Sequence, residues 1–175
     1  MAMLLTLQSE RLLLRNLQTD DLADFLAYRS NPEVTRYQGF EPYTEQQALD
    51  FILSQKDKEF GTAGQWLQLG IILKPENKLI GDCAVKLVDD NSQIAELGCT
   101  LSPTYQGKGF AKETLLTLMN FLFEQRKVHR IMETTDAENL SSIRLLESIG
   151  FRKEGHFIEN IRFKGKWGSE LQYAL

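Results

Sequence analysis

Glu96-Leu97-Gly98-Cys99-Thr100-Leu101, then Ser102-Pro103-Thr104-Tyr105-Gln106-Gly107-Lys108-Gly109, then Phe110-Ala111-Lys112-Glu113-Thr114-Leu115-Leu116-Thr117-Leu118-Met119 is the stretch on which the reading of this chain turns. Its parts are an apolar strand, a glycine-bearing turn and a helix that continues to about Glu124. Ala111, Leu115, Leu118, Met119 and Leu122 recur at the helical period and make one apolar stripe, with Thr114, Thr117, Asn120 and Glu124 largely off it. A turn that opens a helix is a natural anion site. The first-turn N–H groups have no intrahelical acceptor, and the helix N-terminus carries a partial positive charge. Gly107 and Gly109 lack a Cβ that would hold a phosphate off the main chain. Two readings stand on these residues alone: a diphosphate-containing cofactor held at the turn, or a loop that needs glycines ahead of an ordinary core helix.

Two phosphate-binding signatures do not fit. A P-loop puts four residues between its glycines and follows the second with Lys and then Ser or Thr, whereas Lys108 lies between the glycines here and Phe110 follows them. The dinucleotide fingerprint needs Gly or Ala three residues after its second glycine, and Lys112 stands there. What fits is Gln106-x-x-Gly109-x-Ala111, which resembles the acyl-coenzyme A pyrophosphate loop of the GNAT superfamily of N-acetyltransferases.

The 175 residues suit one domain, 1–175, with a substantial core. A net charge of −4 with scattered basic residues argues against nucleic acid or an anionic membrane as partner. No apolar run is long enough to span a bilayer, and Met1-Ala2-Met3-Leu4 lacks the basic start of a signal peptide. Cys83 and Cys99 make neither a metal pair nor a disulfide framework. The expectation is a cytoplasmic protein of bacterial style with no metal.

Along the chain, Leu4 to Leu17 reads as a first strand in one or two pieces. Thr19 caps a helix that Asp20 and Asp21 favour electrostatically and that ends near Pro32. Residues 32–43 read as an aromatic-bearing loop, and Thr44 with Gln47 forms a capping box for a helix to about Phe60. Strands are expected at Gln65–Leu73, Leu79–Val88 and Ile94–Leu101, joined by turns at Lys74–Lys78 and Asp89–Ser92 into an antiparallel meander. After the central helix come a strand at Arg130–Thr135 and a helix opened by Asn139 and closed at Gly150-Phe151. Two strands around a Lys164-Gly165-Lys166 turn end the chain.

That order of elements is the order of the GNAT fold. Further stretches are similar to its RimJ/RimL-type subgroup: Ser9-Glu10-Arg11, Asn31-Pro32-Glu33-Val34, Ala95-Glu96-Leu97-Gly98, His129-Arg130, Glu138-Asn139-x-x-Ser142, Gly150-Phe151 and Lys164-Gly165-x-Trp167. The resemblance implies an α+β fold, with a largely antiparallel sheet and one parallel pair splayed where acetyl-coenzyme A binds. It implies that Cys99, Thr100 and Leu101 border the pantetheine arm. Gln106, Gly107, Lys108, Gly109, Phe110, Ala111 and Lys112 would hold the diphosphate, and Asn139 and Ser142 the cofactor arm. Each has a plainer alternative: Cys99 as a small core residue, the two lysines as solvated helix-start charges, Asn139 as an N-cap. Glu96 is the implied base, with an exposed partner of a lysine as its plainer alternative, and Ser142 is the implied acid. The tyrosine that frequently serves as acid in the superfamily is replaced by Leu146.

Tyr37, Phe40, Tyr43 and Trp66 are candidates for the acceptor pocket or for the core, and His129 and His156 read as structural or surface residues. The implied reaction is direct acetyl transfer to an amine. A lysine-like amine of pKa about 10.4 costs roughly 4.6 kcal/mol to neutralise at pH 7, an α-amine near 7.8 only about 1 kcal/mol. That favours a peptide or protein N-terminus, with a polyamine, amino acid or antibiotic as alternative, and a coenzyme A-binding sensor without turnover as a rival. The resemblance also suggests a homodimer.

Overall fold

The computed structural model describes residues 4–88 and 93–175, so the Met1–Met3 start and the Asp89–Ser92 turn lie outside the described residues. The strands are β1 (Leu7–Gln8), β2 (Leu12–Asn16), β3 (Leu67–Leu73), β4 (Lys78–Leu87), β5 (Ile94–Leu101), β6 (Arg130–Asp136), β7 (Arg152–Phe163) and β8 (Lys166–Ala174). They form one sheet in the order β1-β2-β3-β4-β5-β6-β8-β7. Every neighbouring pair is antiparallel except β5 and β6. The α+β class with a single parallel pair is the architecture expected from the sequence.

Alternation along the strands divides the core between two faces. Leu12, Leu14, Leu69, Ile71, Val85, Ala95 and Leu97 turn toward helix α4 (Phe110–Asn120), whose Leu115, Leu118 and Met119 meet them with Leu122 just beyond. Leu17, Ile72 and Leu79 turn the other way, toward Phe25 and Tyr28 of α1 (Leu22–Arg29), Val34 of α2 (Pro32–Thr35) and Ala48 and Ile52 of α3 (Glu45–Gln55). Helix α5 (Leu140–Ser148) buries Leu146 in the α4-side cluster.

The local reasons are visible in the caps. Thr44 Oγ1 accepts from Gln47 N–H at 3.3 Å while Gln47 Oε1 accepts from Thr44 N–H at 2.9 Å, the reciprocal box read from the sequence. Asn139 Oδ1 accepts from Ser142 N–H, and α5 closes with Gly150 N–H on Glu147 and Phe151 N–H on Leu146. Four expectations are corrected. Thr19 does not cap α1; Asp21 instead accepts from Gln18 N–H at 2.7 Å and pairs with Arg15. Residues 32–35 are helical, because Asn31 accepts from Glu33 N–H and Pro32 suits a first helical position. Helix α3 ends at Gln55 rather than near Phe60. Thr114 is fully buried instead of lying off the apolar stripe, since a single strand-facing stripe is not wide enough to cover α4 against both β5 and β2. A π-turn, Phe121–Gln125, then closes the helix.

Candidate active site

The register of β5 and β6 creates the site. Ile94, Ala95 and Glu96 pair with Arg130, Ile131 and Met132, and there the pairing stops, although β5 runs on to Leu101 and β6 to Asp136. Beyond Glu96 the strands diverge and leave a wedge whose β5 side carries backbone groups with no neighbouring strand. A cleft of about 750 Å³ occupies the wedge, with Leu97 to Leu101 on one wall and Glu133 to Asp136 on the other. Its far end opens at Gly107, Gly109 and Lys112, and α5 contributes Ser142 and Leu145. The β7–β8 hairpin supplies Ile161, Phe163 and Glu170, and its Lys164 ammonium donates to the Thr35 carbonyl of α2, joining the hairpin to the helix across the mouth.

The turn after β5 is built to offer donors. Gly107 and Gly109 have φ of 71° and 82°, conformations that L side chains adopt only at a cost. Between Gly107 and Lys112, six consecutive N–H groups find no acceptor among the described residues, and Glu113 N–H, on the Gly109 carbonyl, is the first that does. A Cβ at Gly107 would meet nothing within 4 Å. Six free amides at a helix start, open on that side, are a seat for a multiply charged anion.

The turn is also buttressed from behind. Arg11 donates from Nη1 to the Lys108 carbonyl at 3.2 Å and from Nε to Glu113 at 2.7 Å, and its guanidinium lies 4.3 Å from the centre of the Phe110 ring. Glu113 accepts from Ser9 and from Arg11 N–H as well. Although burial pushes its pKa up, these donors outweigh that and hold it below the ordinary carboxylate value.

The expected site residues separate into those the cleft gathers and those it does not. Cys99, Thr100, Leu101, Gln106, Gly107, Gly109, Phe110, Ala111, Lys112, Asn139, Ser142 and Tyr37 all line it. The Gln106 amide faces inward, donating to the Leu101 carbonyl at 3.1 Å, so it ties the turn to the strand end. Lys108 stands outside, with its ammonium 5.5 Å from the centre of the Tyr105 ring. Glu96, at the vertex, is not a lining residue; its carboxylate sits 2.6 Å from Lys86, whose ammonium lies 4.6 Å from the centre of the Trp66 ring. Trp66 is thus part of that surface pair and not of the cleft. Phe40 and Tyr43 surround Arg29 instead, which Asp82 binds through two hydrogen bonds on the buried floor beside the site. His129 and His156 are exposed.

The acetyltransferase (GNAT) domain profile matches residues 11–152. The chain belongs to the GNAT acetyltransferase family. It is 36% identical over 171 residues to the N-acetyltransferase p20 of Bacillus licheniformis, covering 97% of this chain and 95% of that one. It is 26% identical to a spermidine N(1)-acetyltransferase of Vibrio cholerae, over 91% of this chain and 89% of the relative. It is 28% identical to a ribosomal protein uS5-alanine N-acetyltransferase of Escherichia coli, over 67% of this chain and 61% of the relative. Among solved structures, a GNAT acetyltransferase from Bacillus anthracis superposes with a TM-score of 0.89 at 29% identity and 98% coverage of both chains.

The protein is therefore an acetyl-coenzyme A-dependent N-acetyltransferase, and its own residues fit that co-substrate. The free amides from Gly107 to Lys112 match a diphosphate, the unpaired edge of β5 matches the amides of a pantetheine arm, and the wedge leads from one to the other. Bound there, the co-substrate supplies an activated acetyl group as a thioester. Leu146, fully buried in the core, offers no proton to a GNAT reaction, and Ser141 and Ser142 are the hydroxyls that α5 brings to the cleft lining.

Several lining residues had no site role in the sequence, among them Asp136, Ser141, Arg144, Glu170 and Glu133, of which Glu133 is the most buried. Glu133 is buried on the β6 wall, and its Oε2 has no hydrogen-bond partner among the described residues. Its signal was present in the strand period, because Ile131, Glu133 and Thr135 alternate toward the same buried side.

Proposed function

We propose that the acceptor is an α-amino group at a peptide or protein N-terminus. The observation that carries this reading is the Glu96–Lys86 pair at 2.6 Å. A carboxylate neutralised by an ammonium is a poor base for a strongly basic amine, but an α-amine lies only about 1 kcal/mol from its neutral form at pH 7. Cys99 to Leu101, with the amides from Gly107 to Lys112 and with Asn139, hold the acetyl donor. Ser142 lies on α5 for a contact to its arm, and Glu96 serves as base only for the ammonium form of the incoming amine, before the attack, through a relay that frees it from Lys86. Tyr37 orients the acceptor. A backbone N–H of the β5 edge polarises the thioester carbonyl.

A polyamine acceptor is the second reading. It is favoured by three carboxylates on the cleft lining besides Glu133, namely Glu33, Asp136 and Glu170, and by the spermidine-acetylating relative. We place residues 1–175 in one domain that acts in the cytoplasm, as a homodimer on family grounds, in keeping with the bacterial relatives. Among the described residues no helix is long and apolar enough to cross a membrane.

The test is free-thiol release from acetyl-coenzyme A with a panel of N-terminal peptides, spermidine, free amino acids and aminoglycosides. Peptide-dependent thiol release supports the proposal and polyamine-dependent release replaces it. Saturable binding of the donor without turnover of any acceptor identifies a sensor.

A further inference from the structure

The cleft has two distinguishable ends. The free amides of the Gly107–Lys112 turn mark one, at the C-terminal end of β5, and the vertex where β5 and β6 part marks the other. An arm anchored by its diphosphate at the turn and laid back along β5 has its reactive end at the vertex. Met132 is the last residue of β6 paired with β5, so Glu133 is the first to enter the wedge from that wall. On the opposite wall Leu97, at the corresponding position of β5, has no carboxyl and no hydroxyl.

Glu133 makes no side-chain hydrogen bond among the described residues, and its Oε2 is a buried acceptor with nothing to accept from. Leaving such a group unsatisfied is costly, and a site that retains one has a use for it when a partner arrives. We propose that Glu133 is a catalytic residue of the acetyl transfer, carrying the proton from the attacking amine to the departing sulfur. This rests on the acetyltransferase reading of the cleft.

The step balances without an outside acid or base. As the amine nitrogen forms its bond to the carbonyl carbon and the C–S bond breaks, the nitrogen's proton moves to the Glu133 carboxylate. The same proton then passes to the thiolate sulfur, and Glu133 ends as it began. Such a shuttle needs a carboxyl whose proton affinity lies between those of an α-ammonium and a thiol, about 7.8 and 8.5. Burial pushes Glu133 up to about 8 from the ordinary 4.5. The titratable groups facing it are the Cys99 thiol on β5, itself pushed well up by burial, and Tyr173 across the ladder on β8. The Tyr173 hydroxyl donates to Glu147 of α5. Lys112 and Arg144 line the cleft with Asp136, Glu170 and Glu33, but none offsets the effect of burial on Glu133.

The test compares wild type, Glu133→Gln and Glu133→Asp. With an accepted amine, Glu133→Gln is expected to lose about 100-fold or more in kcat and the pH-rate limb near 8, with Kd for coenzyme A by calorimetry within about threefold. Glu133→Asp, which keeps a carboxyl, recovers part of the rate with the limb displaced. Difference infrared titration supplies a readout that needs no turnover: a carboxyl titrating near pH 8 that is absent from Glu133→Gln and moves when coenzyme A binds. The inference is overturned if kcat and its pH profile survive the Gln substitution. It is overturned equally if coenzyme A affinity falls tenfold while kcat holds, which would make Glu133 a holder of the arm, or if no such carboxyl titrates. If wild type acetylates no amine, the acetyltransferase reading fails by itself, and the infrared response to coenzyme A still decides whether Glu133 meets the sulfur.

Discussion

Replacing Glu133 with Gln should make the protein more stable in alkali and leave it nearly unchanged in acid. The carboxyl is buried, lacks a partner for Oε2 and has its pKa raised from 4.5 to about 8 by burial alone. Between those values the folded chain holds a proton that the unfolded chain has released, so stability falls as pH rises from about 4.5 and levels off above about 8. At 1.36 kcal/mol per pH unit, that interval sets a ceiling of roughly 5 kcal/mol on the penalty. Because the group opens on the cleft, local relaxation reduces this to about 2–3 kcal/mol. Glutamine has the shape of the protonated acid and never ionises, so the variant escapes the penalty. Urea unfolding of both proteins at pH 5 and pH 9 is the assay. Curves that coincide at pH 5 and separate by about 2–3 kcal/mol at pH 9, with Gln the more stable, are expected. Curves that stay parallel across the range would refute the buried-carboxyl reasoning and, with it, the feature that singles out Glu133.

Two further substitutions probe the glycine turn of the cleft and the buried ion pair of Arg29 with Asp82. Gly109→Ala places a Cβ at a φ of 82° and 3.4 Å from Arg11 Nη2. It should cost about 1–2 kcal/mol of stability and weaken coenzyme A binding about tenfold or more by calorimetry, since the turn must reshape to relieve the strain; unchanged affinity would argue against the main-chain seat. Asp82→Ala removes the carboxylate that accepts from Tyr28 at 2.6 Å, from Arg29 and from Gln68, leaving a buried guanidinium unpaired. It should destabilise by about 3–5 kcal/mol in urea unfolding, and a loss under about 1 kcal/mol would show that Arg29 finds another partner.

Wherever a function is carried by the main chain or by periodicity, it was legible in the linear chain. The Gln106-x-x-Gly109-x-Ala111 turn depends on residues that are adjacent in sequence, and so does the Asn139 cap. The order of the three strands from Leu67 to Leu101 follows from short connections that leave few alternatives, and the stripe of α4 follows from its period. These features are set by local sterics and hydrogen bonding, which act over a few residues.

Side-chain roles decided by distant partners were not legible. A lysine partner for Glu96 was one of the readings its sequence allowed, but that the partner is Lys86 follows only from β4 running beside β5 in that register. Trp66 packs on Lys86 of the same pair, outside the cleft lining, and Arg11 reaches across 97 positions to hold the Lys108 carbonyl. Glu133 matters because the β5–β6 ladder ends one residue before it and opens a cleft at a buried position. The sequence by itself determined most of the elements and the glycine turn whose amides stand free at the start of α4, since each is specified by neighbours along the chain. Only the tertiary structure decided which carboxyl faces the reacting end, because burial and partnership are properties of the packed sheet.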